Sequence, residues 1–187
     1  PTTLPYLTYN AGVKAINDFE YENKYQFYNI FREISTSDHA QSQVKLAHSN
    51  ALSTKVFYAK SKLSLQSEIH NQYFKNQNKK IGIKDYNNEY LKVFPMSGVT
   101  IETPMKSTKY NYLINPKISL IINSGQSNSN KISNEDSTNN NYSITQQIAL
   151  NRYSGTDKLD NSKRINYGFQ LDKGKFTLNF SQNYEFS

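Results

Sequence analysis

The sequence contains no cysteine, so neither a disulfide nor a thiolate metal site forms within it. That leaves the redox compartment open. No run approaches the ~18 apolar residues of a membrane-crossing helix, which excludes a helical span. It does not exclude spanning strands, whose hydropathy signal per segment is far weaker. Apolar residues are scarce: they make up 36% of 187 residues, with a mean hydropathy of -0.78, so a large buried core is hard to fill. No signal peptide is visible and the chain starts at Pro1. The expectation is therefore a piece of something longer, with no domain boundary inside residues 1–187.

Aromatics, by contrast, are plentiful. There are 15 Tyr and 10 Phe, too many for a disordered polar chain. Their spacing has period two. In Phe19 to Phe31 the odd positions Phe19, Tyr21, Tyr25, Phe27 and Phe31 are aromatic. In Lys109 to Asn123 the even positions run Tyr110, Tyr112, Ile114, Pro116, Ile118, Leu120 and Ile122. In Lys175 to Glu185 they are Phe176, Leu178, Phe180 and Tyr184, with polar residues opposite. A helix would scatter these side chains around its circumference, whereas a strand lines them on one face. Val56 to Phe74, Leu91 to Glu102 and Tyr142 to Arg152 show the same pattern more faintly. Pro5, Pro95, Pro104 and Pro116 remove ladder donors and belong at strand ends, bulges or unpaired edges.

The connections are of two kinds. Asp172-Lys173-Gly174-Lys175 reads as a tight hairpin. Gly125 to Asn141 (GQSNSNKISNEDSTNNN) and Gln72 to Glu89 read as long polar loops, the first expected to be mobile for want of apolar anchors. The whole predicts an antiparallel meander of seven to ten strands whose two ends meet different surroundings.

Nothing in the sequence marks an active site. His39, His48 and His70 lack ligand spacing. Glu135-Asp136-Ser137 lacks the ligand pattern of a calcium loop. Ser154-Gly155 is not embedded in G-x-S-x-G, and Gly168 and Gly174 stand alone. No catalytic residue, cofactor or metal is expected. The net charge is +7, but the lysines are scattered and mostly lie opposite the aromatics, which argues against nucleic acid.

The apolar faces therefore carry the information: they meet either a second sheet or lipid. A soluble sandwich has short connections at both ends. An outer-membrane barrel has short turns at one end, long loops at the other, and Tyr and Phe girdles near the strand ends. The barrel fits better.

One stretch goes further: "NRYSGTDKLDNSKRINYGFQL", Asn151 to Leu171. It resembles the barrel motif of the lipopolysaccharide-assembly (LptD) family, once called organic solvent tolerance proteins. Asn151, Arg152, Tyr153, Ser154, Gly155 and Asp157 match that motif, with Lys158 where the family has Arg. "LINPKISLII" is similar to the family's Glu-Pro-Arg strand, with Pro116 kept and Asn115 and Lys117 replacing the charge pair. "SNEDS" resembles its Asp-Ser segment, here Asp136-Ser137, and "FPMSGVTIETPM" its preceding Pro-containing strand. The resemblance is specific from Phe94 to Leu171 and general in style from Pro1 to Glu89.

The resemblance implies an all-β antiparallel meander forming part of a large transmembrane barrel in the outer membrane of a Gram-negative bacterium. It implies transport and outer-leaflet insertion of lipopolysaccharide without a bond-making step. The partners it implies are lipopolysaccharide, outer-membrane lipid, an LptE-type plug lipoprotein and an LptA-type periplasmic bridge. The bridge would dock on a periplasmic jelly-roll domain, which is not visible in this segment. In such a barrel the motif run joins two spanning strands, and Ile165, Tyr167, Phe169, Leu171, Phe176, Leu178 and Phe180 face lipid. A porin-like channel and a soluble β-rich adhesin are the rival readings.

Overall fold

The computed structural model describes residues 2–32, 41–81, 84–126, 128–130, 132–137 and 144–186. The alternating segments become nine antiparallel strands of one sheet. They are β1 (Thr2–Ile16), β2 (Phe19–Arg32), β3 (Gln41–Tyr58), β4 (Ser61–Ile81), β5 (Lys84–Glu102), β6 (Met105–Ser107), β7 (Tyr112–Asn123), β8 (Lys163–Lys173) and β9 (Phe176–Phe186). A short helix, α1 (Ile144–Gln147), lies between β7 and β8. The order in space is β1-β2-β3-β4-β5-β7-β8-β9, with β6 also paired to β7. This is a meander. Among the described residues β1 and β9 do not pair with each other, so the sheet is open.

Four of the connections are short and lie at one end: Asn17-Asp18, Ala59-Lys60, residues 108–111 and Gly174-Lys175. Each has one residue in the left-handed region, namely Asn17, Ala59, Asn111 and Gly174. Asn and Gly tolerate that conformation well, and Ala does so at a cost. The β7–β8 connection, residues 124–162, is by far the longest and leaves from the opposite end. Short turns below and a long loop above is the asymmetry expected of a spanning barrel wall.

The prolines sit where the ladder lapses. Pro5 falls in the β1 irregularity between Thr3 and Tyr6, and Pro104 separates β5 from β6. Pro95 and Pro116 lie inside strands, yet their carbonyls accept from Ser124 and Thr103, both 3.1 Å, outside the regular β5–β7 ladder. A residue's N and O point to the same side of its strand. The missing N–H of each therefore faces the β5–β7 seam beyond the pairs Met96–Asn123 and Glu102–Lys117.

Three sequence expectations change. Gln72 to Glu89 is not a loop: β4 runs on to Ile81 and β5 starts at Lys84, with cross-strand pairs such as Lys75–Glu89 and Asn76–Asn88. The backbone ladder forms there without an apolar face, so periodicity gives no sign of it. Tyr142 to Arg152 is not a strand: from Ile144 onward it is α1 followed by irregular chain, and Tyr142 lies outside the described residues. Ile144 and Ile148 are four apart, a spacing a helical turn also places on one side. Val56 to Phe74 is broken by the Ala59-Lys60 turn and belongs to two strands.

Register carries the apolar parity across the whole sheet. Phe19, Thr54, Leu65, Val99, Leu120, Ile165 and Tyr184 form one continuous row. Most large hydrophobics of these rows are exposed, Leu46, Leu91, Phe180 and Tyr184 among them. This is the open face. The opposite parity carries Lys45, Gln72, Lys92, Ser119, Asn123, Arg164 and Asn166, all buried. What buries them is the β7–β8 loop.

Candidate functional site

The loop is irregular, as its sequence predicts, but its described residues are anchored, and by polar groups. Two segments meet over β3: 134–137, which contains the Asp-Ser pair, and 155–158, from the Asn151 motif. Their carboxylates cap each other's backbone. Asp157 Oδ2 accepts from the amides of Glu135 (2.7 Å) and Asp136 (3.2 Å). Asp136 Oδ1 accepts from the amides of Asp157 (2.7 Å) and Thr156 (3.1 Å). Ser137 Oγ donates to Asp136 Oδ1 and accepts from the Lys158 amide.

Beneath this clasp lies Lys45 of β3, which is wholly buried. Its ammonium donates to Asp157 Oδ1 (2.6 Å), Thr156 Oγ1 (2.6 Å) and Asp136 Oδ2 (3.3 Å). Tyr28 of β2 donates its hydroxyl to Asp157, and Gln43 of β3 donates to that hydroxyl and to the Ser133 carbonyl. A buried ammonium is tolerable only when paired and hydrogen-bonded on every side, which this arrangement provides. Burial works against the charge of Asp136, but Lys45 and the loop donors more than offset it and hold its carboxyl well below the usual range. A carboxyl so depressed stabilises the fold fully above the ordinary carboxylate pKa and loses that contribution only as pH falls further. Protease resistance of the loop should thus be flat from pH 8 to pH 5 and decline only in strong acid.

Asn151 shapes the motif itself. Its amide donates to the Gly155 and Lys158 carbonyls, and its oxygen accepts from the Tyr153 and Asp160 amides. Arg152 forms a fork on Asp160 (2.8 and 3.0 Å) and reaches Glu185 of β9 (2.5 Å). Arg164 of β8, also wholly buried, bonds Asp160, Ser162 and the Ala149 carbonyl. Tyr153 stands beside Lys158, whose ammonium lies 5.9 Å from its ring centroid, while Ser154 is exposed. A small apolar core of Phe94, Met96, Ile121, Leu150 and Leu159 fills the space between loop and wall.

Gly155 is set by close approach rather than by φ. A Cβ there would lie 2.2 Å from the Asp136 carbonyl oxygen, a backbone atom that cannot step aside. Gly155→Ala in the full-length protein should part the two loop segments and expose the loop to external protease.

Of the residues singled out by sequence, Asp136, Ser137, Asn151, Arg152, Tyr153, Gly155 and Asp157 are gathered in or beside the clasp. Pro116 is not with them. It sits on the opposite face of the wall, in a row with Phe169 and Phe180, whose rings stack at 5.7 Å. Ile165, Tyr167, Phe169, Leu171, Phe176, Leu178 and Phe180 all lie on the open face. His70 is buried on the loop side beside Glu68, His48 stacks on Tyr25, and His39 lies outside the described residues. Lys45, Tyr28, Gln43, Asp160 and Arg164 were missed by sequence reasoning, because single polar residues in alternating strands carry no signal of their partners. The carboxylate that Asn115 does not supply stands on the neighbouring strand. Glu102 of β5 takes ion pairs from Lys117 (3.4 Å) and Lys62 (3.3 Å) and accepts from Asn115 (3.5 Å).

Among the described residues no cluster of carboxylates and imidazoles is arranged to hold a metal ion. The oxygens of Asp136 and Asp157 are occupied by amides, hydroxyls and Lys45. The geometry is that of an anchor. No curated protein sequence matches the chain. The family model for LptD, LPS transport system D, matches residues 1–187, a match that spans the open face, the clasp and the strands on both sides of it. The chain therefore belongs to the LptD family, whose members are outer-membrane barrels of lipopolysaccharide transport and assembly.

Proposed function

We propose that this sheet is a stretch of the wall of an outer-membrane translocon that delivers lipopolysaccharide into the outer leaflet. The open face meets lipid, the loop-covered face lines the lumen, and the short turns point to the periplasm. One observation carries the reading: a single sheet with an uncovered apolar face and, on the other face, polar and charged side chains buried under a clasped loop. A soluble sandwich covers its apolar face with a second sheet instead. The lumen wall offers polar side chains to a headgroup, and the route needs no bond-making chemistry. Asn151, Arg152, Tyr153, Ser154, Gly155, Asp157, Asp136 and Ser137 act structurally in this proposal, fixing how much of the lumen the loop fills. An LptE-type plug lipoprotein within the lumen, and an LptA-type bridge docking on a jelly-roll domain elsewhere in the full-length protein, complete the pathway.

Depletion of the full-length protein from its own bacterium tests this. Newly made lipopolysaccharide should accumulate on the inner-membrane side, and phospholipid should fill the outer leaflet. A selective fall in uptake of small hydrophilic solutes, with surface lipopolysaccharide unchanged, would establish the porin reading instead.

A further inference from the structure

β5 rises higher than the strand beside it. Its ladder to β7 ends at the pair Met96–Asn123, with one further bond from the Ser124 amide to the Pro95 carbonyl (3.1 Å). From Phe94 up to Lys84 the strand has β4 on one side and, among the described residues, no strand on the other. A residue's N and O point to the same side of its strand, and that side alternates along the chain. Pro95 turns its carbonyl toward β7, so Val93 and Leu91 turn their N–H and C=O groups the same way. Those groups have no backbone partner among the described residues. An unpaired edge of this kind is a template for another strand.

The chain that fits it already runs alongside. At Gly125 it turns onto the loop-covered face and lies against the ring of Phe94, where a Cβ would meet Cδ2 at 2.2 Å. Asn128 Oδ1 then accepts from the Lys92 ammonium (2.8 Å). Continuing the register of the pairs Ser97–Ile122 and Met96–Asn123 puts Gln126 opposite Val93 and Asn128 opposite Leu91. Asn128 thus sits within one residue of its height in a lengthened ladder, on the face of β5 instead of at its edge.

The seat it occupies is lightly held. Besides Lys92, Asn128 bonds the amide and the carbonyl of Leu159 (3.1 and 2.9 Å). Lys92 is wholly buried. Yet among the described residues its ammonium has one hydrogen-bond acceptor, a neutral one, and the Phe94 ring 5.2 Å away. Lys45 has two carboxylates and a hydroxyl. Burying an ammonium with so little compensation is costly, and letting water reach it relieves that cost.

We infer that Gln126 and Asn128 have a second seat, on the upper edge of β5, in which β7 lengthens by the pairs Gln126–Val93 and Asn128–Leu91. Two such pairs make four backbone hydrogen bonds, against the three side-chain bonds that Asn128 gives up, so the exchange is near balance. Pro95 forfeits its one donor in either seat. The switch uncovers Lys92 while the Asp136–Asp157 clasp stays shut, which makes the part of the loop next to β7 a gate. It does not depend on which face of the wall meets lipid.

Disulfide trapping in the full-length protein in detergent tests this, on material shown to be folded by its heat-modifiable gel shift. Partners in a doubly bonded antiparallel pair have Cα atoms about 5.5 Å apart, within reach of a disulfide. Val93 has the parity of the open face, away from the loop, so Val93→Cys with Gln126→Cys links only in the edge seat. Mass spectrometry of the linked peptide after mild oxidation reads the fraction. Gly125→Ala is excluded from the present seat by the buried Phe94 ring and accepted by a strand. It should raise the linked fraction by roughly tenfold, the scale of one overpacked methyl. Leu91→Pro removes an N–H that bonds nothing in the present seat, a change that an edge strand tolerates, and should suppress the link. No link in the Gly125→Ala background would overturn the inference. So would a link that Leu91→Pro leaves unchanged, because that describes a loose segment and not a strand. Hydrogen exchange gives a second reading that needs no proline: Gly125→Ala alone should slow exchange at the Val93 and Leu91 amides, and unchanged or faster exchange there would overturn the inference as well.

Discussion

Phe180→Lys should cripple folding of the full-length protein into lipid vesicles, while Asn179→Lys leaves it nearly intact. The two residues are neighbours in β9 with opposite parity. Phe180 is exposed on the open face near the middle of the strand and stacks on Phe169. Asn179 pairs with Gln170 and belongs to the face that carries Arg164 and Asn166. A lysine near the bilayer midplane on the lipid side costs about 2–4 kcal/mol, and one in a wet lumen stays hydrated. A heat-modifiable gel shift reports the folded fraction at equal expression. Damage confined to the Asn179 variant would mean that the faces are inverted and the apolar side is a soluble core. Indifference to both would mean that this strand does not cross a membrane. Leu178→Lys should follow Phe180→Lys with a smaller effect, because it lies closer to the turn.

The second large effect is expected at Asp157. Removing its carboxylate leaves Lys45 charged, buried and short of its 2.6 Å partner, and strips the acceptor from the Glu135 and Asp136 amides. Breaking one side of a buried pair costs about 3–5 kcal/mol. Asp157→Ala should therefore raise the rate at which external protease cuts the loop by about two orders of magnitude or more. Asp157→Asn keeps an acceptor and should fall between. Glu135→Ala removes only the partly exposed pair with Arg32 and should change cutting little. The reverse order would show that the Arg32–Glu135 contact, not the Lys45 clasp, is what holds the loop.

The alternation of Phe19 to Phe31, Lys109 to Asn123 and Lys175 to Glu185 was enough to place β2, β7 and β9 and their faces, because side-chain parity is a property of the chain itself. The upper halves of β4 and β5 were silent. Lys75, Asn76, Asn88 and Glu89 pair across strands without any apolar stripe, and a hydrogen-bonded ladder leaves no trace in side-chain polarity. The loop misled in the opposite way. Residues 125–141 look solvent-seeking because Asn, Ser and Asp are what loops in water contain. Among its described residues, Asn128, Asn134, Asp136 and Ser137 instead bond buried lysines or each other. Only the fixed spacing of the Asn151 motif hinted at that, since Asn151, Gly155 and Asp157 each satisfy a separate geometric demand.

The two prolines at the β5–β7 seam have a mechanical consequence. That ladder holds seven register pairs, Met96 to Glu102 against Asn123 to Lys117, and cannot lengthen past Pro95 without losing a donor. It is the shortest join along the main path of the sheet. The loop crosses the same line: it bonds Lys45, Gln72 and Lys92 on one side and Asn123, Arg164 and Glu185 on the other. It acts as a splint over a crease. Cut the splint, and the wall becomes two stiff panels that flex along one line, with the seam-facing amides of Val99 and Leu120 the first in the interior to exchange with solvent.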